Sequence, residues 1–177
     1  MNLQIDYLRT FLALDETKEM YPHKQGKTMK QISFLIIGGL MVLSCAGQRP
    51  ENSGVQNGRL ADCPSSPNCV SSQAADDRHG LPPLQYQGGK EAAFKRLKKI
   101  IASIQGNTIV SETGDYLHIE CKSKIMGFVD DLEFFFPDEA IIHVRSASRL
   151  GYSDFGVNRK RVEHLREMFI SQPEERD

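Results

Sequence analysis

Two adjoining stretches, "DDLEFFF" (Asp130 to Phe136) and "IIHVRSAS" (Ile141 to Ser148), satisfy their side chains in only one pairing register. Strand side chains alternate between faces, so a slip of one residue moves an entire apolar set to the wrong side. With Asp138, Glu139 and Ala140 as the connecting loop, Glu133 falls opposite Arg145, Phe134 opposite Val144 and Phe136 opposite Ile142. Leu132, Phe134, Phe136, Ile142 and Val144 then share an apolar face, while Asp131, Glu133, His143, Arg145 and Arg149 share the other. A loop one residue shorter or longer would bury Arg145 among phenylalanines, so this register is predicted.

The rest of the domain follows from similar patterns. "NTIVSE" and "YLHIECK" flank the turn sequence "TGD" and read as a second hairpin, with Leu117, Ile119 and Cys121 on one face and Tyr116, His118, Glu120 and Lys122 on the other. In "KEAAFKRLKKIIASIQG" the residues Ala93, Phe94, Leu97, Ile100, Ile101 and Ile104 form a helical stripe, with Gly106 placed as a C-terminal cap. Its basic face, Lys90, Lys95, Arg96, Lys98 and Lys99, reads as solvated. A last helix from near Asn158 to Ile170 buries Val162, Leu165, Met168 and Phe169. The expected fold is α+β: a four-stranded antiparallel sheet with two helices packed on one face, and a short strand ahead of it near Leu84 to Tyr86. A chain of 177 residues accommodates one such domain, assigned to 60–172, with 173–177 as a frayed tail.

Upstream, "MKQISFLIIGGLMVLSCAG" (Met29 to Gly47) has a basic start, an apolar run and a small-residue end. Residues 29–44 read as a signal peptide, and "VLSC" resembles a bacterial lipobox in which Cys45 becomes the acylated first residue. Residues 1–28 carry Asp6, Asp15, Glu16 and Glu19, unlike the start of a signal, so translation is expected to begin at Met29. The polar stretch 45–59 reads as a flexible tether. Export permits a disulfide between Cys63 and Cys69, whose loop contains Pro64 and Pro67, while Cys121 reads as a small buried hydrophobe. The localisation expected is the cell envelope, lipid-anchored, in the outer membrane and facing the periplasm where the cell has one, because Ala46 rather than aspartate follows Cys45.

A net charge of −1 offers no global attraction to nucleic acid, so recognition has to be local. The candidate is "RSASRLGYSDFGVNRKR" (Arg145 to Arg161), with four arginines and a lysine. Arg159, Lys160 and Arg161 open the last helix, where the macrodipole is already positive and each exposed cation costs about 0.3–1 kcal/mol. A counter-charge is required: Asp154 as a cap, the group Asp130, Asp131 and Glu133 on the sheet, or a bound anion. Two readings follow. In one, an internal salt-bridge network satisfies the arginines. In the other, Arg145, Ser146, Ser148, Arg149, Ser153, Asn158, Arg159 and Arg161 line a pocket for an anionic ligand.

Other chemistry has less support. No ligand spacing supports a metal, and neither a phosphate loop nor a dinucleotide fingerprint occurs, so no cofactor is expected. Asp131 and Glu133 as an acid–base pair would have lowered pKa values beside arginines, the wrong direction for a general acid. Nothing specific argues for catalysis.

Three blocks, "CPSSPNCVSSQA", "GFVDDLEFFF" and "VRSASRLGYSDFGVNRKRVEHL", resemble the signatures of an uncharacterised bacterial and plastid family, domain of unknown function 1499. The resemblance covers roughly Leu60 to Ile170 and implies a small exported or membrane-attached domain. It implies as characteristic positions Pro67, Asn68, Cys69, Ser71, Ser72, Asp130, Asp131, Glu133, Arg145, Ser146, Ser148, Arg149, Gly151, Ser153, Asp154, Gly156, Asn158 and Arg159. The function expected is a lipid-anchored envelope protein that binds an anionic small molecule or an envelope partner through the arginine-rich segment. The alternatives are an accessory lipoprotein with internally satisfied charges and a hydrolase using Asp131 and Glu133.

Overall fold

The computed structural model describes residues 47–172. The expectations for 1–28, for the signal segment, for Cys45 and for the tail 173–177 lie outside the described residues. Eight elements follow in order: β1 (Cys69–Ser71), β2 (Leu84–Gln85), α1 (Lys90–Ser103), β3 (Asn107–Glu112), β4 (Tyr116–Lys122), β5 (Val129–Phe135), β6 (Ile141–Ser148) and α2 (Val157–Ser171).

The α+β class holds, but the sheet has six antiparallel strands, not four. Its order is β1-β6-β5-β4-β3, with β2 also pairing with β6. β1 meets β6 at Cys69↔Ala147 to Ser71↔Arg145, and β2 meets it at Leu84↔Ile142 and Gln85↔Ile141, so the two strands share one edge of β6 in succession. Strands of three and two residues are too short to display a period of two. That is why β1 read as loop and β2 only as a short strand ahead of the sheet.

The β5–β6 hairpin takes the predicted register, with Glu133↔Arg145 and Phe134↔Val144. Leu117, Ile119, Leu132, Phe134, Phe136, Ile142 and Val144 form the floor of the core, all fully buried. α1 lays Phe94, Leu97, Ile100 and Ile101 on it, and α2 adds Val162, Leu165 and Phe169. At roughly 1.5–3 kcal/mol per fully buried large side chain, this face drives folding. The α1 basic face is only partly solvated: Arg96 stacks over the Phe169 ring at 3.9 Å, and Lys98 reaches Glu112 at 2.7 Å.

Gly106 sits beyond the helix cap, and its position has another cause. Its φ is +93°, and a Cβ there would fall 2.7 Å from the Lys122 carbonyl, so the first residue before β3 must be glycine to approach β4 this closely.

The second face of the sheet is also covered. The described part of the segment read as a tether packs along it: Gly47 lies against Arg149, Arg49 reaches Glu120, the Gly54 N–H donates to Glu133 Oε1 at 2.8 Å, and Val55 and Leu60 close over Tyr116 and Phe135. Gln56 and Arg59 turn the chain back through paired backbone hydrogen bonds of 2.8 and 3.0 Å. The stretch has almost no apolar side chains, which is why it reads as a tether, but it is held by directional hydrogen bonds to charges on the sheet. We call it the strap. The expected disulfide is present between Cys63 and Cys69, just beyond it.

Candidate functional site

Alternation along β5 and β6 divides the arginine-rich segment between the two faces of the sheet. Asp131, Glu133 and Arg145 point toward the strap, whereas Asp130, Ser146 and Ser148 share the side of Leu132 and Val144, toward the helices. The residues proposed to line one pocket are therefore divided: Ser146, Ser148, Asn158 and Arg161 meet on the helix side, while Arg145 and Arg149 lie on the strap side.

On the strap side, Arg145 Nη1 donates to Glu133 Oε2 at 3.0 Å, with side-chain exposures of 6% and 0%. Glu133 Oε1 accepts from the Tyr116 hydroxyl and from Gly54 N–H, each at 2.8 Å. Arg149 grips Asp131 with Nε at 2.8 Å and Nη2 at 2.7 Å, and the same Nη2 reaches Glu120 at 2.7 Å. Arg49 closes on Glu120 from the strap, and His118 Nε2 lies 2.8 Å from Asp131. Three guanidiniums thus face three carboxylates. The Arg145 Nε has no acceptor among the described residues, a residual cost of this burial.

The electrostatics follow from those contacts. Burial alone would raise the Asp131 pKa, but hydrogen bonds from Arg149 and His118 outweigh it and hold the carboxyl at about 2. Arg149 and Arg49 lower Glu120 in the same way, through side-chain hydrogen bonds that exceed the effect of its burial. Burial, with the neighbouring Glu133 charge, raises the Tyr116 phenol, which stays protonated and donates.

On the helix side, Asn158 is the hub, with its side chain completely buried at the start of α2. Its Oδ1 accepts from Ser146 Oγ and Arg161 Nη1, each at 2.6 Å, while its Nδ2 donates to the Asn68 carbonyl at 3.0 Å and Ser148 Oγ at 2.9 Å. Arg161 continues to Asp130 at 2.6 Å. Arg159 reaches away to two carbonyls, Gly80 at 2.9 Å and Arg78 at 2.8 Å. Asp154 accepts from Gly156 N–H at 3.0 Å and Asn158 N–H at 2.7 Å, capping the positive helix end. Ser153 is exposed, and its Oγ accepts from Phe155 N–H at 3.3 Å. The charge at the start of α2 is answered internally by Asp154 and Asp130.

Several members of these networks were not among the residues predicted to form the site, although the family resemblance marked Asn68 as characteristic. Asn68, Tyr116, His118, Arg49 and Gly54 are brought in by pairing and by the strap, although Tyr116 and His118 were legible as residues of the charged face. Ser72 Oγ lies 3.1 Å from His143 Nδ1 and accepts the Val144 N–H at 2.9 Å, a bridge between β1 and β6; burial lowers the His143 pKa. Cys121 is buried, and that burial pushes its thiol up to about 11, the inert hydrophobe expected. No group of three or more metal-ligating side chains occurs among the described residues.

The architecture defines a small α+β domain whose sheet carries an apolar core on one face and a paired charge network on the other. The chain belongs to a family described as a protein of unknown function, DUF1499, whose pattern matches residues 59–169. No curated protein matches it.

Proposed function

We propose that the protein is a lipid-anchored accessory domain of the cell envelope, non-catalytic, in which the arginine-rich segment is scaffold. The observation that carries the scaffold reading is that Arg145, Arg149 and Arg161 each meet a carboxylate, at 3.0, 2.7 and 2.6 Å. A guanidinium already bound to a buried carboxylate has neither the free donors nor the net charge to attract an anion. The hydrolase alternative needs a carboxyl that holds a proton near neutral pH, and Asp131, 1% exposed and held at about 2, is the opposite. Anchoring rests on the lipobox-like "VLSC" at Val42 to Cys45, behind its apolar run.

Two measurements test this reading. Feeding cells an alkyne fatty acid labels the wild-type chain and not the C45A variant; equal labelling of both sinks the anchor. Thermal-shift screening against inorganic phosphate, phosphorylated sugars and phospholipid headgroups leaves the melting point unchanged. An anion that raises it in the wild type but not in R161Q restores the ligand-pocket reading.

A further inference from the structure

All but one of the exposed large apolar side chains among the described residues lie at one end of the sheet, Ile170 being the exception. Ile125, Met126 and Phe128 occupy the β4–β5 loop, and Leu150, Tyr152 and Phe155 the β6–α2 loop, with Val157 next to the latter. The loops are neighbours: Lys122 pairs with Val129, Asp130 pairs with Ser148, and Arg149 N–H donates to the Val129 carbonyl. Scattered exposed leucines are ordinary, but a cluster on adjoining loop tips marks a contact surface. Ile125 is 92% exposed and Phe155 89%. Phe155 has, in addition, a φ of +53°, strained for a bulky residue and unrewarded by any burial within the domain.

What covers this end is indicated by where the strap enters. A Cβ on Gly47 would fall 3.2 Å from Leu150 Cγ, so the described chain begins against the apolar loops. Cys45 is two residues earlier, about 7 Å of extended chain. An acyl group on Cys45 entering a bilayer keeps Leu150, which lies against Gly47, close to the headgroups. The β4–β5 loop also carries exposed Lys124, beside exposed Lys122, and contains no acidic residue, which suits an anionic lipid surface. Tyr152, with an apolar ring and a polar tip, suits the interface.

We propose that the β4–β5 and β6–α2 loops form a membrane-docking surface that inserts Ile125, Met126, Leu150 and Phe155 into the headgroup region of the leaflet that holds the lipid anchor. This rests on the anchoring proposed above. It adds a fixed orientation, with the β5–β6 turn facing away from the bilayer.

The chain contains no tryptophan, so F155W supplies a single reporter, and D138W in the exposed β5–β6 turn supplies its control. The full acylated chain is reconstituted in phosphatidylethanolamine–phosphatidylglycerol vesicles containing lipids brominated near the headgroup end of the acyl chain. Docking predicts that F155W emission shifts to the blue and is quenched about twofold or more, while D138W is unaffected. Co-sedimentation with neither reporter quenched leaves the anchor standing and overturns the docking. F155W emission that is shielded from acrylamide but insensitive to bromine means that a second copy of the chain covers the loops, and also overturns it. A Cys45 peptide with no lipid mass sinks the anchoring alone; quenching of F155W by vesicles then still supports docking, and its absence removes both.

Discussion

The two faces of the sheet are buried to similar degrees by opposite means. The helix face is closed by apolar side chains from two helices of 14 and 15 residues. The strap face is closed by a short polar stretch that touches Glu120 through the Arg49 guanidinium and Glu133 through the Gly54 N–H, beside an Asp131 gripped by Arg149. Apolar burial is non-directional, so many side-chain choices fill such a face. A buried charge network tolerates only complete pairing, because a carboxylate left without its partner keeps its desolvation penalty. The strap face therefore depends on each member in a way the helix face does not.

That contrast is broken or sharpened by four measurements. The largest effect is expected from R149M, which removes the cation from buried Asp131, leaves it only His118, and lowers unfolding free energy by about 3–5 kcal/mol in denaturant titrations at pH 7. L132A on the opposite face costs a comparable amount, about 2–5 kcal/mol. Mild acid separates the two, since protonating the stranded carboxyl relieves R149M and does nothing for L132A. A loss below about 1 kcal/mol for R149M would mean that the face behaves as solvated surface.

Acid dependence of the wild type comes next. The folded-state pKa of Asp131 is depressed to about 2, below its unfolded value near 3.8, so its stabilisation is fully present above pH 4. It is lost as pH falls from about 4 through 2, an effect on the order of 2 kcal/mol that unfolding curves at pH 5 and pH 2 would measure. Glu120 contributes in the same direction. D131N should flatten this part of the profile; an unchanged profile would place the acid sensitivity elsewhere.

Removing the Cys63–Cys69 bridge with C63A/C69A opens a loop with a sequence separation of six and should cost roughly 2 kcal/mol by loop entropy. It tests whether the strap is held from its C-terminal side, as protease cleavage within 47–62 should accelerate. The smallest effect belongs to R49A. Arg49 is 51% exposed, so its pair with Glu120 is screened and worth at most about 1 kcal/mol, declining as salt is added.

How much of this was legible follows the same division. Phe134 against Val144 and Glu133 against Arg145 could be paired from parity alone, since one register keeps phenylalanines and arginine on separate faces. The α1 stripe was equally readable. The parity that fixed the hairpin also separates Arg145 and Arg149 from Ser146, Ser148, Asn158 and Arg161, so grouping them by closeness in sequence put two faces into one pocket. The strap had no comparable pattern: Arg49, Gly54, Val55 and Leu60 share no period, and their partners lie tens of residues away. Strands β1 and β2, too brief to alternate visibly, added the remaining two members of the sheet.

The Gly54 N–H that caps Glu133 lies upstream of residues 59–169, the span shared with the family. An expression clone trimmed to that span would remove the lid from the ionic layer, admit water to Tyr116 and Asp131, and delete Arg49, one of the two cations on Glu120. Recombinant versions intended for crystals or binding assays should therefore start no later than Gly47.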